Sequence, residues 1–430
     1  MQIKTFALSA AIAQAATLTL ADTSSNYWQS FTSQIDPKNI SIPSIEQTSS
    51  IDPTQECAYY SPDTSLFTFN ASEWPSIWDV ATTNGMNESA EFLSVYNSID
   101  WTKAPNISVR TLTAEGNLDT TGYDTATDPD CWWTATTCTS PKISDINDDI
   151  SKCPEPETWG LTYDDGPNCS HNAFYDYLQE QKLKASMFYI GSNVVDWPYG
   201  AMRGVVDGHH IAAHTWSHPQ MTTKTNQEVL AEFYYTQKAI KLATGLTPRY
   251  WRPPYGDIDD RVRWIASQLG LTAVIWNLDT DDWSAGVTTT VEAVEQSYSD
   301  YIAMGTNGTF ANSGNIVLTH EINNTTMSLA VENLPKIISA YKQVIDVATC
   351  YNISHPYFED YEWTNVLNGT TSSSASGSTA SGAAASGAAA SASGGATTAA
   401  AAKVNASTSS AMSVLPNLAM ISAFIATLLL

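Results

Sequence analysis

Two histidines four residues apart stand in the stretch His214-Thr215-Trp216-Ser217-His218. Two imidazoles at i and i+4 can reach one metal ion, from a helical face or from a tight loop. A carboxylate from elsewhere completes a facial set that leaves positions open for water and substrate. Thr162-Tyr163-Asp164-Asp165-Gly166-Pro167 supplies two carboxylates in a row. One can bind the metal, and its neighbour can take a proton from a water held beside it, because a divalent cation lowers the pKa of such a water from ~15.7 to ~7. No glutamate sits inside the histidine pair, so this is not the helical motif of the zinc proteases. Three more polar clusters follow: Arg252-Pro253-Pro254-Tyr255-Gly256, Asp279-Thr280-Asp281-Asp282-Trp283 and Leu318-Thr319-His320. Taken singly, each has an ordinary explanation as a turn, an ion pair, a solvated loop or a packed core histidine.

Their position is not ordinary. From about Glu157 to Tyr351 short β-type runs alternate with helical ones. Strands are expected at 158–163, 185–190, 210–213, 250–251, 272–276 and 315–318. Helices are expected at 171–181, 198–207, 227–244, 259–269, 291–304 and 326–343. Repeated β-then-α units imply a parallel sheet, open or closed into a barrel. In such folds the chemistry sits on the loops after the C-terminal ends of the strands. The polar clusters fall just after those ends, so they converge on one rim.

Together the segments T-Y-D-D-G-P, H-T-W-S-H, R-P-P-Y, D-T-D-D-W and L-T-H resemble the motifs of the polysaccharide deacetylases of carbohydrate esterase family four, the NodB-homology domain. They occur in the family's order, over less than half the chain. Tyr163 stands where phenylalanine is common. The resemblance implies an α/β fold, a distorted (β/α) barrel with about seven units. It implies Asp164 as general base and Asp165, His214 and His218 as ligands of one divalent metal ion, zinc by default, with cobalt or manganese also suited to N/O ligands. It further implies that Arg252 holds Asp164, that the backbone N–H of Tyr255 helps bind the oxyanion, and that His320 is the general acid for the leaving amine. Asp279 would orient and tune His320. Trp283 and Leu318 would wall the acetyl pocket, and Thr215 and Ser217 would support the metal loop.

The rest of the chain concerns where such chemistry operates. Met1 to Ala21 reads as a secretory signal peptide, cut after Ala16 or Ala21. Residues 22–150 read as an irregular extension with no long helical period and no function that can be argued. The deacetylase domain is expected at 151–355, and a Ser/Ala/Gly/Thr-rich stalk that cannot bury a core at 369–404. The apolar tail Val414–Leu430, with small residues at Asn405-Ala406-Ser407, reads as a glycosylphosphatidylinositol signal attached at Asn405, so that 406–430 would be removed. Sequons at Asn39, Asn70, Asn87, Asn106, Asn307, Asn324, Asn352 and Asn368 agree with export. An even number of cysteines in an exported chain suggests disulfides. Cys153 with Cys350 would tie the ends of the central domain, and Cys131 with Cys138 is a local pair, which leaves Cys57 with Cys169. The formal net charge of −25 excludes a nucleic-acid partner, and no protein partner is indicated.

This layout is similar to that of fungal glycosylphosphatidylinositol-anchored chitin deacetylases. It implies hydrolysis of the N-acetyl groups of chitin, giving chitosan and acetate, at the outer face of the plasma membrane and the cell wall. Exposed Trp216, Trp283 and Tyr255 would stack on sugar rings. An acetylxylan esterase is the enzymatic alternative. A wall glycoprotein that kept the fold without catalysis is the other.

Overall fold

The computed structural model describes residues 26–40 and 69–363, with the backbone of 366–367 and 370–371. The expected signal segment, the expected stalk beyond Thr371, Cys57, Asn368, Asn405 and the apolar tail lie outside the described residues. Among the described residues no helix is long and apolar enough to cross a membrane.

Strand β1 is Thr158–Gly166, and it is buried along nearly its whole length, as a central parallel strand must be. The others are β2 (Ser186–Tyr189), β3 (His210–Ala213), β4 (Tyr250–Trp251), β5 (Thr272–Ala273), β6 (Leu278–Asp279), β7 (Asn315–Leu318) and β8 (Gln343–Ile345). All pair in parallel, in the order β5-β4-β3-β2-β1-β7-β6. Trp159 and Gly160 pair with both β7 and β8, which puts those strands on opposite edges of β1. β5 and β6 are the two ends of one segment: Val274 N–H donates to Trp251 O (2.8 Å) and Asn277 N–H to Ile316 O (3.1 Å). The eight strands are therefore seven chain segments, and the kinked segment 272–279 joins the two ends of the row into a distorted barrel.

Period-two alternation along the strands feeds two cores. Leu161, Tyr163, Met187, Ile211, Ala213, Trp251 and Val317 lie in the larger cluster together with Leu230, Phe233 and Ile240 of the helix Asn226–Thr244, so this phase faces outward, under the helices. Phe188, Ala212, Tyr250, Val274, Ile316 and Ile345 form the second cluster, which fills the barrel. Among the described residues the helix Asn226–Thr244 is the longest. It opens on a capping box, Thr225 with Glu228, and stops at Gly245 in a left-handed conformation.

Expectation and structure differ in three places. Gln343 starts β8 and does not end a helix: the helix closes at Ala340, and Gln343–Ile345 pairs with Thr158–Gly160. The run expected as one strand at 272–276 is ladder only at Thr272–Ala273, because the segment must bend to reach β7. Helix Gly191–Asp196 has no counterpart among the expected elements. The region before the barrel holds a helix, Ala90–Ser98, with Ser89 as its cap, and its Tyr27, Phe31, Trp74, Phe92 and Val95 are buried in the outward core.

Disulfides Cys131–Cys138 and Cys153–Cys350 are both present, and no cysteine among the described residues is free. Cys153–Cys350 spans 197 residues, from just before β1 to just after β8. Closing so long a loop restricts the unfolded chain strongly. The paired variant Cys153→Ala/Cys350→Ala should unfold about 2–5 kcal/mol more easily by denaturant titration. A change below about 0.5 kcal/mol would show that the bridge adds nothing the barrel ladder does not already supply.

Candidate active site

The inward phase runs to the ends of the strands, and in β3, β4 and β7 one or two residues past them. Asp164 follows inward Thr162, His214 follows Ala212, Arg252 follows Tyr250, and Leu318 and His320 follow Ile316. The sequence motifs therefore meet inside the mouth of the barrel for a simple reason: each places a polar residue two steps, or four, after an inward residue of its strand. The chain then turns sharply. Asp165 (φ 73°), Thr215 (64°), His218 (56°), Tyr255 (59°) and Asp281 (56°) all sit in the left-handed region without being glycine. Such residues cost about 1–3 kcal/mol each and collect at functional sites. Gly166 is required by close approach, since a Cβ there would overlap the Glu321 carboxylate.

Asp165 Oδ1 lies 3.4 Å from His214 Nε2 and 3.3 Å from His218 Nε2. His214 Nδ1 donates to Arg252 O at 2.8 Å. That bond leaves Nε2 with a lone pair directed at the carboxylate. Burial pushes both imidazoles down to about 3, with His218 adding to the effect on His214 and His320 to that on His218, so both are neutral. Two acceptors thus face each other with no proton between them, and Asp165 Oδ1, though buried, has no hydrogen-bond partner. A cation between them removes the repulsion, and the donor set of one carboxylate and two neutral imidazoles suits a divalent transition metal. A second group, Asp128 with Cys131 and Cys138, lies equally close, but its sulfurs are joined in a disulfide and offer no thiolate.

Asp164 sits beside this set. Arg252 Nη1 donates to its Oδ1 at 2.7 Å and to Thr162 Oγ1 at 2.8 Å. The guanidinium lies 4.1 Å over the Phe188 ring. Burial raises the Asp164 carboxyl above its ordinary range, and Arg252 is the chief influence pulling it back. A buried carboxylate whose affinity for a proton is raised and which faces a fixed cation is a candidate acid–base group.

His320 joins from β7, its backbone paired to Asp164. Here the expected tuner is corrected. His320 Nδ1 is held by Asp282 Oδ1 at 2.6 Å, and Asp282 Oδ2 accepts the His320 backbone N–H at 2.9 Å. Asp279 instead accepts from the Asp281 backbone at 2.9 Å. The physical reason is the left-handed turn at Asp281, which swings Asp282 back toward the barrel mouth. Burial alone would lower His320, but the Asp282 charge and hydrogen bond, with Asp165 and Asp164, carry it up to about 9.

Trp216 is also corrected. It is fully buried and stacked on Trp74, with ring centroids 5.8 Å apart, so it offers no face to a sugar. Tyr255 and Trp283 remain about half exposed at 54% and 46%; Tyr255 lies against the His218 ring at 4.8 Å. Leu318 is buried. Thr215 Oγ1 accepts the His218 backbone N–H at 3.2 Å, and Ser217 bonds to Glu232, a buried carboxylate that no motif indicated. Asn39, Asn70, Asn106, Asn307 and Asn352 are exposed, while Asn87 and Asn324 are partly buried.

The chain belongs to the polysaccharide deacetylase family. Residues 151–274 match the family described as polysaccharide deacetylase. A chitin deacetylase from Amylomyces rouxii is 94% identical over 429 residues, spanning 100% of both chains. Chitin deacetylase 2 of Cryptococcus neoformans is 46% identical over 336 residues, covering 76% of this chain and 72% of its own. A solved chitin deacetylase from Colletotrichum lindemuthianum aligns with 49% of this chain and 96% of its own at 26% identity, with a TM-score of 0.45.

The Asp282 contact makes a pH prediction for the metal-free protein. A histidine raised from 6.5 to about 9 stabilises the fold fully below pH 6.5, and that contribution fades as pH rises through about 9. In Asp282→Asn the imidazolium loses its partner and should titrate more than one unit lower by NMR. Asp279→Asn should leave it higher than Asp282→Asn does. The reverse order would restore Asp279 as the tuner.

Proposed function

We propose that this chain is a metal-dependent hydrolase that removes N-acetyl groups from N-acetylglucosamine units of chitin, releasing acetate and leaving chitosan. The observation that carries the reading is the Asp165, His214 and His218 set, whose donor atoms face one another at 3.3–3.4 Å beside Asp164 and His320. The 94% identity to a protein named chitin deacetylase supports the substrate. Zinc is the natural occupant, with cobalt or manganese as substitutes.

When bound, the ion supplies Lewis acidity toward the acetamide carbonyl and raises the acidity of a water beside it. The chain's own groups do the rest. Asp164, fixed by Arg252, takes the proton from the attacking water. The Tyr255 backbone N–H stabilises negative charge growing on the carbonyl oxygen. His320, held protonated by Asp282, gives its proton to the amide nitrogen so that an amine, otherwise a poor leaving group, departs with the C–N bond. Leu318 and Trp283 border the acetyl methyl, and the exposed ring of Tyr255 offers a stacking face for sugar.

The reading extends to the cell surface. A signal peptide at 1–21, an irregular extension at 22–150, a catalytic domain at 151–355, a stalk at 369–404 and lipid attachment at Asn405 would place the enzyme on the outer face of the plasma membrane within reach of the wall. N-glycans would occupy the exposed sequons.

The test is acetate release from defined N-acetylglucosamine oligomers, run beside acetylxylan. Chelation should abolish release and added zinc or cobalt should restore it. His320→Ala should lower turnover about 10²- to 10⁴-fold while the metal content stays stoichiometric. Preference for acetylxylan would move the substrate assignment, and full activity without metal would end the mechanism.

A further inference from the structure

The loop that carries both histidine ligands cannot hold its shape by itself. Thr215 and His218 are both left-handed, and between them the backbone N–H groups of Trp216 and Ser217 point the same way, away from the barrel mouth. Both end on one oxygen of Glu232: Trp216 N–H donates to Oε2 at 2.8 Å and Ser217 N–H at 2.9 Å. The other oxygen, Oε1, accepts Ser217 Oγ at 2.8 Å and the Ala81 backbone N–H at 2.9 Å. Glu232 is wholly buried on the helix Asn226–Thr244, and no positively charged side chain pairs with it among the described residues. Its charge is met only by these donors. Consecutive N–H groups around a left-handed residue form an anion-binding concavity, and here the anion is supplied by the protein.

The same loop is gripped from its other side. Trp216 Nε1 donates to Ser76 O at 3.1 Å, and Ser192 Oγ bridges Trp216 O (2.7 Å) and Trp78 N–H (3.0 Å). Trp74 stacks on Trp216 at an interplanar angle of 14°.

We propose that Glu232 is the positioning residue that holds the His214–His218 loop in its ligand geometry, and that residues 74–81 of the N-terminal extension complete this brace. Glu232 touches neither the ion nor the substrate. It sets where the two imidazoles stand, and so how tightly the metal binds. The inference rests on the metal reading above.

The experiment measures metal affinity directly, by chelator competition with zinc and by the visible absorption of the cobalt-loaded protein. Wild type should take up one ion; no uptake would sink the metal reading and this proposal with it, whereas unchanged uptake in the variants would sink the proposal alone. In Glu232→Gln one carboxylate oxygen becomes an NH2 that cannot accept, so two of the four donors lose their acceptor, and the dissociation constant should rise about 10- to 100-fold, the range for groups that orient ligands. The cobalt spectrum should change, and turnover should recover at saturating metal. Ser217→Ala, which removes one bond of the four and keeps the fold, should weaken binding by a smaller factor. If Glu232→Gln does not fold, Ser217→Ala decides the matter. Wild-type affinity and spectrum in the folded variants would overturn the proposal.

Discussion

A charge stands at the mouth of the barrel because Arg252 lies against it. Asp164 and Arg252 are both almost without solvent contact, at 2.7 Å. Burying either one unpaired would cost several kcal/mol, and breaking such a pair costs about 3–5 kcal/mol. The pair also fixes more than itself. Arg252 Nη1 reaches Thr162 on β1, its backbone carbonyl sets the tautomer of His214, and its face rests on Phe188 of the barrel core. One residue after β4 thereby ties Asp164, the His214–His218 loop and the inner core into a single arrangement.

The ends of the strands explain why the site is both rigid and strained. A residue in the left-handed region turns the chain out of the strand while leaving the preceding side chain on the inner phase. Asp164 and Asp165 show the consequence. Asp164 keeps the inward step of β1, and the φ of 73° at Asp165 swings the second carboxylate to the same side, where alternation alone would have sent it under the helices. Two adjacent acids can then divide the work, one facing the arginine and the other facing the histidines. The strain is held in place by backbone bonds that cross between strands, such as Asp164 N–H to Thr319 O at 3.0 Å and Glu321 N–H to Asp164 O at 3.0 Å.

Much of this arrangement is legible in the amino-acid sequence, because strand ends and polar motifs coincide in the chain. Short apolar runs such as Ile211-Ala212-Ala213 and Asn315-Ile316-Val317-Leu318 mark the strands, and the next residues carry the chemistry. What is not legible depends on turns. Asp279, Asp281 and Asp282 are three equal carboxylates in the sequence, and only the left-handed step at Asp281 chooses the one that meets His320. Trp216 lies between His214 and His218, so its position suggests a sugar platform; the left-handed Thr215 sends it into Trp74 instead. Glu232 belongs to a helix whose pattern asks only for a buried face, and a lone acid there carries no signal of what it holds. Its partners are backbone N–H groups, which nearly every residue possesses and no motif records. The pairing of Cys57 lies outside the described residues.

The N-terminal extension shows how much a family motif leaves out. The match to the family as such covers 151–274, yet the turns of the site are filled from earlier in the chain. Trp133 packs where a Cβ on Gly256 would stand, beside Tyr255, and Trp132 Nε1 donates to Asp257 at 2.9 Å. The Cys131–Cys138 bridge closes the loop that carries both tryptophans. Residues 74–81 reach the His214–His218 loop on another side. A strained turn keeps its shape only when its surroundings over-determine it, and in this protein those surroundings come largely from a region with no periodic pattern of its own. Irregular backbone suits that task. It can deliver single N–H groups and indole rings to scattered turns, which a regular helix or strand, committed to its own ladder, cannot do.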